Sequence, residues 1–155
     1  MTDRTPEEAL RELGITLPVV AEDPKYTSWR ASAAGLIFVA GQLPYRDGVL
    51  PRTGAVGDDV DVETARDLMR TATVNALAVA SQATGGIGRL RIVQMLALVA
   101  SAPGFGGQSN VADAGSELLV EVLGERGRHA RTAIGVAALP RTSPVEVQLV
   151  VEVAQ

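Results

Sequence analysis

The chain has no cysteine, one histidine and an aromatic content of 3% across its 155 residues. Without thiols there can be no disulfides, thiolate nucleophiles or thiolate metal sites, and with His129 alone a zinc site would need carboxylates for most of its ligands. A metal enzyme is not expected, and nothing in the sequence calls for a cofactor. No apolar stretch approaches the roughly 18 residues that a membrane span requires, and no cationic segment leads into an apolar run with a cleavage site. A cytoplasmic location with no membrane partner is the expectation. Scarce aromatics leave little for bases to stack on, and a net charge of -4 with a pI near 5.0 repels polyanions, so nucleic acid is a poor partner. Arg126, Arg128, His129 and Arg131 nevertheless fall within six residues, a local basic spot suited to a small anion.

A mass of 16.1 kDa accommodates one hydrophobic core, so residues 1–155 are expected to form one domain, with 1–20 as an N-terminal extension carrying a short helix. That helix starts at Thr5-Pro6-Glu7-Glu8, with Thr5 as N-cap, proline at the first helical position and two acids at the positive dipole end; Gly14 is its stop. Tyr26 to Val39 reads as a β-hairpin broken at Ala34-Gly35, and Asp47-Gly48 as a turn. Asp61 opens a long helix to about Ala83, whose apolar stripe of Ala65, Leu68, Met69, Ala72, Ala76, Val79 and Ala80 repeats at spacings of three and four. A nearly all-apolar strand spans Ile92 to Ala100, a second helix about Asn110 to Leu123, and strands about Ala130 to Ala138 and Val145 to Val153. Gly104-Phe105-Gly106-Gly107 lacks a downstream Gly-Lys-Ser pattern and reads as a loop.

The fold class is therefore α+β, a single mixed sheet with two main helices on one face. In the last strand Val145, Val147, Leu149, Val151 and Val153 should face the helices, with Glu146, Gln148, Val150 and Glu152 on the other side. The second face needs a cover, and a symmetric partner subunit is the economical one.

Arg131 begins one C-terminal strand and Glu146, fifteen residues on, interrupts the next. A guanidinium matches a carboxylate in bidentate fashion, and a nearby carboxylate can activate water, so the pair could hold an organic acid and hydrate it. From pattern alone Arg131 reads as well as an ordinary ion-pair partner, Glu146 as the outward residue of an alternating strand, Tyr26 as a packing residue and His129 as a surface histidine.

Phe38-Val39-Ala40-Gly41-Gln42-Leu43-Pro44, Asn75-Ala76-Leu77, Gly88-Arg89-Leu90, and His129-Ala130-Arg131 through Leu139-Pro140 to Val145-Glu146-Val147 together resemble the RidA group, also called the YjgF or liver perchloric-acid-soluble protein family. The resemblance runs from Tyr26 onward. It implies a chorismate-mutase-like fold and a homotrimer whose sheets form a central barrel, with ligand pockets at the interfaces. It also implies hydrolysis of reactive enamines and imines, such as 2-aminoacrylate, to 2-keto acids and ammonia. Arg131 would bind the substrate carboxylate, Glu146 would activate water, Tyr26 would border the pocket, and backbone near Ala40 and Gly41 would contact substrate. Ala40 stands where many members have serine, and Asp113 and Ser116 stand where an asparagine and an aromatic residue are often seen; Asp113 is thereby a further substrate-binding candidate. A non-catalytic trimer that binds small carboxylates is the alternative, and an endoribonuclease a third reading against which the acidic charge argues.

Overall fold

The structure is a computed structural model in which residues 4–154 are described. The first helix, α1 (Pro6–Glu12), is closed by a capping box between Thr5 and Glu8 and buries Ala9 and Leu10. Strands β1 (Trp29–Ala31) and β2 (Ile37–Val39) form the hairpin, turning through Gly35 at φ +85°. Helix α2 (Val62–Thr84) starts where the Asp61 carboxylate accepts the Thr64 N–H at 2.7 Å and stops at left-handed Gly85. Strand β3 (Leu90–Ala100), helix α3 (Gln108–Leu123), strand β4 (Ala130–Val136) and strand β5 (Val145–Val153) complete the order.

The five strands lie in the order β1-β2-β5-β3-β4, with β3 and β4 parallel and the other pairs antiparallel. Strand β3 starts two residues earlier than the apolar run suggests, because Leu90 and Arg91 pair with Val153 and Glu152. Strand β4 ends at Val136, opposite Ala100, where β3 itself ends. Val145, Val147, Leu149 and Val151 are fully buried under the helices, and the alternating residues of β5 lie on the other face, as the sequence pattern predicts.

The core lies between the sheet and α2 and α3. Ala65, Ala72, Ala76 and Ala80 line the buried side of α2, so little side-chain bulk separates that helix from its neighbours. Where α2, α3 and β3 meet, closeness depends on Gly115: a Cβ there would lie 2.6 Å from Met95 Cε and 2.6 Å from Thr73 Oγ1. Arg66–Glu117 at 3.2 Å and Arg70–Glu121 at 2.9 Å add surface ion pairs between the helices. Such pairs contribute no more than about 1 kcal/mol each.

On the far side of the sheet Phe38 and Ile134 are exposed, and Leu96, Leu98 and Val150 are half-buried with no layer over them.

Gly115→Ala is expected to lower stability by about 1–3 kcal/mol, the usual cost of overpacking a filled core. Urea unfolding checks this, and an unchanged midpoint would refute the close-packing argument.

Candidate functional site

On α3, Ser109, Asp113, Ser116 and Val120 recur at spacings of four, three and four, which puts them in one stripe. Arg131 lies across from that stripe. Its backbone pairs with Met95, and Met95 is fully buried beneath the helices, so Arg131 shares the helix-facing side of the sheet. Because β4 is an edge strand, the long side chain can lie along the sheet margin. Arg131 Nη1 donates to Asp113 Oδ1 at 2.7 Å and to Ser116 Oγ at 3.3 Å, while Nη2 donates to Ser109 Oγ at 3.4 Å. Ser116, Val120, Arg128, His129 and Arg131 line an open cavity of about 270 Å³.

His129 belongs to this cavity. Its Nδ1 lies 2.6 Å from the Gly127 carbonyl, which can accept a hydrogen bond and cannot give one. Nδ1 therefore carries the proton, and in the neutral ring Nε2 accepts the Ser116 hydroxyl at 3.0 Å. The bonds run in one direction, from Arg131 to Ser116 to His129 to the Gly127 carbonyl. Ser109 and the part played by His129 were not legible beforehand. The signal available was the stripe at 109, 113 and 116, which has meaning once that side of α3 is known to face β4.

Glu146 is elsewhere. It pairs with Leu98, which also pairs with Ile134, three residues along β3 from Met95 and hence on the opposite face from Arg131. One chain places the guanidinium and the carboxylate on different sides of its sheet. Glu146 packs against Gly41, where a Cβ would lie 1.9 Å from Glu146 Oε1. The Gly41 segment is held by two devices. Gln42 exchanges backbone hydrogen bonds with Val147, and Asn75 of α2 donates to the carbonyls of Leu43 at 2.8 Å and Tyr45 at 3.1 Å. Ala40 precedes it, donating its N–H to the Ser28 carbonyl at 2.8 Å and accepting from the Gln42 amide at 3.0 Å. No ion pair reaches Glu146 among the described residues, and burial pushes its carboxyl above the ordinary carboxylate range.

Tyr26 occupies a third place. It lines a cleft of about 440 Å³ with Val20, Trp29, Arg30 and Gln82, beside β1 at the opposite edge of the sheet from Arg131. Of the residues singled out from sequence, the fold thus joins Arg131 with Asp113 and joins Glu146 with Gly41, with Ala40 adjoining; Tyr26 stands apart from both. Among the described residues no three histidine or acidic side chains converge as a metal set.

Residues 7–153 match the family described as "YjgF/chorismate mutase-like, putative endoribonuclease". Protein TCP17 of Trypanosoma cruzi is 38% identical over 146 residues, covering 92% of this chain and 91% of that protein. The crystal structure of Atu1372 from Agrobacterium tumefaciens, a protein of unknown function, has 41% identity and a TM-score of 0.87 over 96% of this chain and 92% of that one. TdcF of E. coli, solved with bound serine, shares the fold at 21% identity and a TM-score of 0.56, with 87% and 91% of the two chains covered.

A carboxyl whose folded pKa is raised leaves the native state holding more protons than the unfolded chain, so stability falls as pH rises from the ordinary carboxylate value of 4.5 through the raised folded value. Glu146→Gln is expected to raise the urea midpoint near neutral pH, with the advantage shrinking as the pH is taken down through the acid range. A gap that stays constant with pH would show that Glu146 is not desolvated.

Proposed function

The chain belongs to the YjgF/chorismate mutase-like family, and from that premise we propose that it hydrolyses reactive enamines and imines of small amino acids to 2-keto acids and ammonia. The observation that carries the reading is Arg131, held by α3 at the mouth of an open cavity. A guanidinium has five N–H donors in a rigid fork. Three are taken by Asp113, Ser116 and Ser109, which leaves Nε–H and one Nη2 hydrogen to donate to a ligand carboxylate.

With the carboxylate anchored, an enamine tautomerises to the imine, and the protonated imine carbon is open to water. Glu146 takes a proton from that water and a neutral carbinolamine forms; the proton is returned to its nitrogen, and as the hydroxyl loses its own proton the C–N bond breaks, releasing ammonia and the keto acid. The raised affinity of Glu146 for protons suits it to this exchange better than an ordinary surface carboxylate. No step needs a nucleophilic side chain.

Arg131 and Glu146 lie on opposite faces of one sheet, and Arg131 and Tyr26 at opposite edges, so the chemistry requires a neighbouring copy to bring its Glu146 or Tyr26 to the Arg131 cavity. A homotrimer closed through the uncovered sheet face supplies that neighbour and covers Phe38, Leu96, Leu98 and Val150. The second reading is a trimer that binds small carboxylates without turnover; Ala40, in place of a hydroxyl-bearing residue, favours it. The endoribonuclease in the family's description suits this chain less well, because a net charge of -4 repels a polyanion.

Ammonia and keto-acid release from freshly generated imino acids is expected in the wild type. Arg131→Ala should reduce kcat/KM by about 10²-fold or more, the worth of a bidentate charge-assisted contact. Glu146→Gln should lower kcat by about 10²–10⁴, the usual yield of general-base help. Saturable keto-acid binding with no ammonia release would favour the binding module. Light scattering should give three times the 16.1 kDa chain mass, and a stable monomer would sink the interface-pocket scheme.

A further inference from the structure

The proposed deamination uses Ser116 only as a prop for Arg131 and does not use His129. Ser116 has one hydroxyl proton and three polar neighbours: Arg131 Nη1, which donates to it, at 3.3 Å, Met95 Sδ at 3.7 Å and His129 Nε2 at 3.0 Å. An imidazole nitrogen is a far better acceptor than a thioether, so the proton lies on the line to His129. That sets Ser116 apart from the buried and half-buried hydroxyls of Thr73, Thr84, Ser101 and Ser143. Those donate to backbone carbonyls, which hold a hydrogen bond but do not take the proton away. A neutral imidazole does take it.

We infer that Ser116, His129 and the Gly127 carbonyl form a nucleophilic triad, with Ser116 as nucleophile and His129 as its general base, acting on short activated carboxylic esters. The Gly127 carbonyl, 2.6 Å from Nδ1, holds the ring with Nε2 toward the hydroxyl, the place a carboxylate takes in a serine-histidine-aspartate triad. Arg131 Nη1 aims an N–H at the attacking oxygen, beside the carbon on which an oxyanion develops. Ser116 and His129 are half-buried and line the same open cavity of about 270 Å³, so a small molecule reaches the oxygen. The inference goes beyond the proposed deamination. All of its groups belong to one chain, and no neighbouring copy is needed.

Ser116 Oγ bonds to the acyl carbon as its proton passes to His129 Nε2 and the carbonyl electron pair moves onto oxygen. That pair then re-forms the carbonyl, the bond to the leaving oxygen breaks, and Nε2 gives its proton to the departing alcohol. Water repeats the sequence on the acyl-serine and frees Ser116, so one ester and one water become one carboxylic acid and one alcohol. The imidazolium formed midway faces a backbone dipole and no full negative charge, and the cavity lining adds the cations of Arg128 and Arg131 with no acid. His129 is therefore a weaker base than one backed by a carboxylate, and the leaving group must be that of an acidic alcohol. Val120, 43% exposed on the cavity wall, gives a short acyl chain an apolar surface to lie on.

The test uses the full chain and two probes. A short-chain fluorophosphonate loses fluoride to an activated serine and leaves an adduct that does not turn over, so peptide mass mapping of the treated wild type should place that adduct on Ser116. With p-nitrophenyl acetate the wild type should release p-nitrophenolate catalytically. Ser116→Ala should abolish both reactions, and His129→Gln should slow both by about 10²–10⁴, the usual yield of general-base help. An adduct on His129 or on an amine in place of Ser116, no adduct at all, ester hydrolysis that survives Ser116→Ala, or labelling of Ser116 at an unchanged rate in His129→Gln would overturn the inference. The mapping is read on the wild type and decides even if a variant fails to fold. Ammonia release by a protein whose Ser116 resists the fluorophosphonate would remove this inference and leave the deaminase reading standing, and labelling of Ser116 without ammonia release would do the reverse.

Discussion

Strand β3 lies between β5 and β4, and its two registers decide what every polar side chain of the sheet can touch. Met95 aligns with Leu149 on one side and Arg131 on the other, all on the helix face. Leu98 aligns with Glu146 and Ile134, all on the open face. Because a strand alternates with period two, a slip of one residue in either pairing would exchange these faces. The burial of Met95, Val145, Val147, Leu149 and Val151 makes such a slip costly, since each would trade the core for the outer face. The position of Arg131 beside α3 is thus fixed by apolar packing that has no chemical part in the site.

Small residues do related work. Gly115 lets α3 settle onto Met95 and Thr73, which places Ser116 and Asp113 within reach of the β4 edge. Gly41 leaves the volume that the Glu146 carboxylate fills. In both places a missing side chain sets the position of a polar one, and at Gly41 the neighbouring chain is held by specific contacts: Asn75 to the Leu43 and Tyr45 carbonyls, and Gln42 to Val147.

Much of the fold was legible because its signals are local. The Asp61 cap, the three-and-four spacing of α2 and the alternation of β5 are each contained in one segment, and each is found where the pattern puts it. Which sheet face carries Arg131 was not legible, because that depends on the parallel register of β4 against β3, a pairing formed across α3 and some thirty-five residues of chain. A separation of fifteen positions from Arg131 to Glu146 says nothing of parity when a turn of unspecified geometry intervenes. Tyr26 illustrates the same limit: its neighbours follow from β1 being an edge strand, a fact of sheet order. Asp113 was legible as a departure from the family pattern, but its partner required the α3–β4 contact.

The separation of Arg131 from Glu146 makes assembly part of the chemistry proposed here. Burial alone already moves the Glu146 carboxyl upward in one chain, where one side of the sheet is open to solvent. Covering that face with a second copy would withdraw more water from the same carboxylate, and with no cation paired to it among the described residues the shift would grow in the same direction. A base is most effective when its proton affinity approaches that of its surroundings, so the subunit that covers Phe38, Leu98 and Ile134 would also tune Glu146. Arg131 responds differently, since its charge is answered by Asp113 within its own chain and does not depend on a neighbour. On the proposed reading, anion recognition by Arg131 would be carried by each subunit alone, while proton transfer would be acquired on association.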